Sequence, residues 1–253
     1  MNYSKRLKQR IKGNINNLID KFPNIKGEEK ESAFIFNDIS DNFNPDSYKK
    51  ILSNPQWKRR LGKTHPKLQD TFEMQSSNSS DAILMNIFCN PKLIIWTGIK
   101  KLFNITDFDD FLFGWKPDFS NEKLVSTEID LKFNDIIIEA KLTEDDFQSQ
   151  GPEIVEAYDN FSLVFDRTLL ELNKNRKYKN YQLIRNILTA YKYKCRFILL
   201  VDESRIDLIK EFIKTTNAIK DNSLRNRMDF ITWQEITNSV GKTLREYIQT
   251  KYF

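Results

Sequence analysis

The chain has 253 residues, 40% apolar and 30% charged, with 19 phenylalanines and a net charge of +5. That is enough material for one large core, or a core with a modest extension, and no apolar run approaches the roughly 18 residues of a membrane span. Two distant cysteines, Cys89 and Cys195, have neither disulfide-framework nor metal-ligand spacing and fit a reducing cytoplasm.

Residues 1–22 predict a basic amphipathic helix, with Leu7, Ile11, Ile15, Leu18 and Ile19 at helical spacing. The segment lacks the apolar centre of a secretion signal. "SYKKILSNPQWKRRLG" predicts helix on both sides of Pro55, and "NSSDAILMNIFCN" opens with capping residues and continues as an apolar helix to about Phe88. Residues 92–115 read as a strand or short helix entering the core. "TEIDLKFNDIIIEAKLTE", from Thr127 to Glu144, reads as a β-hairpin. Residues 153–172 and 180–193 carry a 3.6-residue period and predict two helices. "CRFILLVD" predicts a buried strand, and "SRIDLIKEFIKTTNAI" a helix opened by a capping box of Ser204 and Asp207. "MDFITW" predicts a short strand and "QEITNSVGKTLREYIQTKY" one closing helix. The alternation predicts an α/β domain with a mixed central sheet flanked by helices. Residues 1–77 are expected to form a mainly helical, basic extension and residues 78–253 the core.

The hairpin carries its charges in a pattern. With Asn134-Asp135 as a two-residue turn, Phe133 pairs with Ile136, Asp130 lies opposite Glu139, and Glu128 lies opposite Lys141. Alternation puts these four on one face, and Ile129, Leu131, Phe133, Ile136, Ile138, Ala140 and Leu142 on the other. Directly opposed Cβ atoms are about 4.5–5.5 Å apart, where like charges destabilise. A divalent cation between Asp130 and Glu139 would relieve this, and hard carboxylate oxygens suit Mg²⁺. The same pattern fits a solvated outer face, with Glu128–Lys141 a surface ion pair.

From Asn173 to Arg196 the chain has eight Lys or Arg residues and no Asp or Glu, interleaved with tyrosines. Lys174, Arg176, Lys177, Lys179 and Arg185 are candidates for backbone phosphates of a nucleic acid. A solvated loop followed by a core helix is the alternative. Gln182 and Arg185 open the helix expected beside the charged hairpin face. The single histidine, His65, has no nucleophile context, and the seven glycines form no phosphate loop.

Asp130 followed by Glu139-Ala140-Lys141 resembles the active-site pattern of the PD-(D/E)XK nuclease superfamily, whose fold is restriction-endonuclease-like. "SSDAILMNIF" and "IEAKLTEDDF" resemble, more narrowly, a group of bacterial restriction-endonuclease-like proteins, over about residues 79–233. The resemblance implies a Mg²⁺-dependent endonuclease acting on DNA, with Mn²⁺ able to substitute, set in restriction or phage defence. Asp130, Glu139 and the Ala140 carbonyl would hold the metal. Lys141 would orient or activate the attacking water and stabilise the charged phosphorane, and Glu128 would support Lys141 or a second metal. A literal Pro117-Asp118 also precedes Glu139, but the hairpin favours Asp130. Asp81 stands where that group carries Gln. Asn86 either approaches the site or, in the favoured reading, is a buried helix residue capping backbone. A homodimer is implied because double-strand cutting uses two sites. The rival reading is a non-catalytic nucleic-acid-binding module of the same fold.

Overall fold

The structure is a computed structural model that describes the chain except residues 1, 22, 67, 69 and 120–127, so Thr127 of the hairpin stretch lies outside the described residues. The first part holds α1 (Tyr3–Lys21), strands β1 (Gly27–Glu29) and β2 (Phe34–Phe36), and helices α2 (Pro45–Ser53), α3 (Pro55–Leu61), α4 (Ser80–Phe88) and α5 (Thr97–Leu102). Next come β3 (Leu112–Trp115), β4 (Ile129–Phe133), β5 (Ile136–Ala140), β6 (Ser149–Gln150), α6 (Pro152–Val155), α7 (Phe161–Val164), β7 (Tyr178–Lys179) and α8 (Tyr181–Tyr193). The chain closes with β8 (Arg196–Val201), α9 (Ile206–Asn217), α10 (Asn222–Arg225), β9 (Met228–Thr232), α11 (Trp233–Ser239) and α12 (Lys242–Tyr252). Two compact units result, residues 1–108 with 232–253 and residues 109–231; the division expected at residue 77 falls inside the first. No described helix is long and apolar enough to cross a membrane.

In the first unit, α1 buries Leu7, Ile11, Ile15 and Leu18 and packs against α12, while Ile19 stays half-buried. Pro55 occupies the first turn of α3, where its missing N–H is harmless, and Asn54 caps that turn. Ser79 caps α4 through the Ala82 amide. Asn86, fully buried, accepts from the Asn44 amide and donates to the Asn42 and Ala82 carbonyls, as its reading as a backbone cap requires. Asp81 is ion-paired with Arg60 and Lys63. The closing segment is two helices instead of one. It breaks at Val240-Gly241, and Thr232 and Glu235 form a capping box at the start of α11.

The second unit is built on a five-stranded sheet in the order β3-β4-β5-β8-β9. β3, β4 and β5 are antiparallel neighbours, while β5 and β8 are parallel, so the sheet is mixed and the α/β expectation holds. The hairpin register is the expected one: Phe133 pairs with Ile136, Lys132 with Ile137 and Leu131 with Ile138. Asn134 takes φ 45°, a left-handed value that asparagine tolerates in a tight turn. Because parallel strands cannot be joined by a hairpin, the connection from β5 to β8 has to cross the sheet. It does so through α8, which enters β8 two residues after its end. Ile184, Ile187 and Leu188 of α8 share a core with Ile137 of β5 and Phe197, Leu199 and Val201 of β8.

Two local expectations fail in this unit. Residues 153–172 form α6, α7 and a 3-10 turn in place of one helix, because Asn160 sits at φ 67° and Asp166 caps a fresh turn at Thr168. The capping box of Ser204 and Asp207 does not form. Ser204 donates to Asp202, and Asp207 is taken by the guanidinium of Arg205, which is fully buried.

Candidate active site

One step beyond the last paired residues of the hairpin, Leu131 and Ile138, stand Asp130 and Glu139, and there the β4–β5 ladder stops. The Ala140 amide of β5 donates to Asp130 Oδ2 at 2.8 Å. A side-chain carboxylate thus satisfies a strand N–H at the mouth of the opened ladder. β5 is an inner strand with both faces buried, so Glu139 and the lysine that follows the strand are not on a solvated surface: Glu139 is 1% and Lys141 5% exposed. Lys141 Nζ lies 2.9 Å from Glu139 Oε1. The like-charge conflict expected between Asp130 and Glu139 is met by this ammonium and by the Ala140 amide.

α8 supplies the rest of the polar shell. Gln182, Arg185 and Asn186 follow the i, i+3, i+4 spacing that places side chains on one helix face. Gln182 Oε1 accepts from Lys141 Nζ at 2.9 Å, so the fold brings Gln182 against Lys141. Asn186 Nδ2 donates to Glu139 Oε2 at 2.7 Å. Arg185 reaches the same oxygen at 3.5 Å, donates to the Glu128 carbonyl at 3.1 Å, and turns Nε to Asn186 Oδ1 at 2.9 Å. Only 4% exposed, Arg185 belongs to the interior of this network; the expectation of an outward phosphate contact does not describe where it sits. Just past β5, the Leu142 amide donates to Glu144 and the Leu142 carbonyl accepts from Arg205.

The electrostatics follow from this packing. Burial acts to raise the Glu139 carboxyl, but the Lys141 and Arg185 charges, with hydrogen bonds from Lys141 and Asn186, outweigh it and hold the group below the ordinary glutamate value. Burial acts to lower Lys141; the charges of Glu139, Glu144 and Asp130 reverse that and raise it. Lys141 is therefore an ammonium at neutral pH. Its Nζ also stands 5.7 Å from the centre of the Phe147 ring.

Two residues of this neighbourhood escaped the sequence reading. Glu144 follows Lys141 by three residues on a loop, where strand alternation no longer says which way it points. Asn186 carried a usable signal, as a polar residue one turn after Gln182 in an otherwise apolar helix.

The remaining candidates sit elsewhere. Glu128 is half-buried at the entry to β4, its carbonyl held by Arg185. Lys174, Arg176 and Lys177 are exposed on a loop closed by the Leu172–Tyr178 bridge and by Asn173 Oδ1, which accepts from the Asn175 and Lys177 amides. Lys179 is half-buried and paired with Glu171. Tyr178 and Tyr181 are core residues. Asp118 is exposed, and its backbone is held by the Tyr193 hydroxyl. Tyr193 is seven residues beyond Asn186 along α8, about 10 Å at the helical rise.

Asp130, Glu139 and the Ala140 carbonyl are oxygen-only donors beside an opened strand pair, and fit a hard divalent ion in kind. Among the described residues no cluster of three or more His, Cys, Asp or Glu is assembled as a metal site. Two carboxylates match Mg²⁺, which keeps several of its waters and draws further oxygens from a substrate phosphate.

No curated protein and no solved structure matches the chain. One family model does, over residues 17–253, and its description is "Restriction Endonuclease associating with ARP". That span covers nearly the whole chain and includes the strands and helix that build the site, so the protein belongs to this restriction-endonuclease-like family.

Proposed function

We propose that this protein is a Mg²⁺-dependent endonuclease that hydrolyses phosphodiester bonds in DNA. The observation that carries the reading is the convergence of Asp130, Glu139 and Lys141 where the β4–β5 ladder opens. Asp130 and Glu139, with the Ala140 carbonyl, would hold the ion. Bound there, Mg²⁺ or Mn²⁺ supplies positive charge to the scissile phosphate and its attacking water. Lys141 orients or activates that water and stabilises the negative charge that grows on the phosphate oxygens. Gln182 holds the ammonium in place from the side of α8. Lys174, Arg176 and Lys177, on the loop that leads into α8, contact backbone phosphates without reading sequence. The setting is restriction or phage defence in the cytoplasm, with a homodimer bringing two sites to a duplex.

The test is incubation of the full chain with supercoiled plasmid and Mg²⁺, beside Asp130→Asn and Lys141→Ala. Nicked or linear product from the wild type alone supports the reading. Metal-independent DNA binding with no product from any of the three would instead favour a non-catalytic binding module.

A further inference from the structure

We infer that Asn186, set by Arg185, is a positioning residue that locks Glu139 so that it presents a single oxygen, Oε1, to the metal; this rests on the nuclease reading above. The two oxygens of Glu139 are held in different ways. Oε2 takes the amide of Asn186, which is fully buried, at 2.7 Å, with the Arg185 guanidinium at 3.5 Å. Oε1 takes Lys141 Nζ, which has a second acceptor in Gln182 and so can shift its weight without being orphaned.

The orientation of the Asn186 amide is settled by its two neighbours. Its Oδ1 accepts Arg185 Nε at 2.9 Å, so its NH₂ faces the carboxylate. The reverse orientation would set a carbonyl against a carboxylate and an amide N–H against a guanidinium. Arg185 also donates to the Glu128 carbonyl, so the same pair braces the entry of β4 against β5 where their ladder opens. Removing a buried partner that orients a metal-ligating group typically costs about 10- to 100-fold in affinity for the ion or in activity.

The experiment measures Mn²⁺ binding to the full chain by electron paramagnetic resonance, and the Mg²⁺ concentration for half-maximal plasmid cleavage. Asn186→Leu fills similar space without a donor; Asn186→Ser keeps a short polar group and serves if the leucine variant does not fold. Thr237→Val, which removes a buried hydroxyl on α11, is the packing control. The expected result is a Kd for Mn²⁺ raised about tenfold or more in the Asn186 variants, the Mg²⁺ requirement rising in step, and no change in Thr237→Val. Unaltered Mn²⁺ affinity in both Asn186 variants, with the wild type binding and cutting, overturns the inference and leaves the nuclease reading standing. An equal loss in Thr237→Val overturns it too, since the effect is then general loosening. A wild type that neither binds Mn²⁺ nor cuts DNA brings down the nuclease reading itself, and this inference with it.

Discussion

The main-chain amide of Ala140 donates to the carboxylate of Asp130, across two strands that have just ceased to pair. This one bond gives Asp130 a fixed direction at the mouth of the site. Asn at this position can still accept it through its amide oxygen while losing the negative charge. Asp130→Asn is therefore expected to fold with stability changed by less than about 1 kcal/mol. It should lose at least ~100-fold of Mg²⁺-dependent plasmid cleavage, the upper end of what indirect perturbation of a metal site causes. Urea unfolding and a nicking assay on one preparation measure both.

Lys141 and Glu139 are a buried pair, and removing Lys141 leaves the Glu139 charge to Asn186 and the more distant Arg185. Lys141→Met should destabilise the chain by roughly 3–5 kcal/mol, and adding Glu139→Gln should recover most of that. The sign with pH follows from the two shifts. Glu139, held low, contributes stability that is present above the ordinary glutamate value of about 4.3 and lost as pH falls through its folded value. Lys141, raised, contributes stability that is present below about 10.4 and lost as pH rises through its folded value. The double variant should lack both limbs. A single variant no less stable than the double one would deny the coupling.

On the proposed reading, the exposed loop cations contact DNA through charge alone. Replacing Lys174, Arg176 and Lys177 together by alanine in the Asp130→Asn background should weaken DNA binding at low salt. The slope of log K against log salt should become shallower by roughly 2 to 3, near one unit per lost phosphate contact. Fluorescence anisotropy across a potassium chloride series reads this. Lys179→Ala should move the slope less, because its ammonium is already paired with Glu171.

Lys251 provides a pH probe remote from the site. It is fully buried, donates to the Asn42 carbonyl at 2.8 Å, and stands 4.8 to 5.5 Å from the ring centres of Tyr252, Phe36 and Tyr247. Burial drives its pKa well below the ordinary lysine value, so the unfolded chain binds the extra proton. Its contribution to stability therefore increases as pH rises toward about 10.4, and Lys251→Met should flatten that slope relative to wild type. Chemical unfolding of the two chains from pH 7 to 10 makes the comparison, and parallel slopes would refute it.

What the sequence alone determined was the hairpin. Strict alternation on either side of Asn134-Asp135 admits one register that sets Ile129, Leu131 and Phe133 together with Ile136, Ile138 and Ala140 on one face, and a slip of one residue would put the charges on that apolar face instead. That local rule places Asp130 beside Glu139 and carries the resemblance in Glu139-Ala140-Lys141. The breaks at Asn160 and Gly241 were hidden, because the apolar period runs on across them while the backbone turns. Only the tertiary structure decided that β5 is an inner strand, so that its charges are enclosed and must answer one another. It also decided how the helix expected beside them meets them, side chain by side chain. Gln182, Arg185 and Asn186 lie more than forty residues from Lys141 and Glu139 in the chain, and no periodicity links such distant segments. They meet because a parallel neighbour for β5 requires a crossover, and the crossover helix is α8.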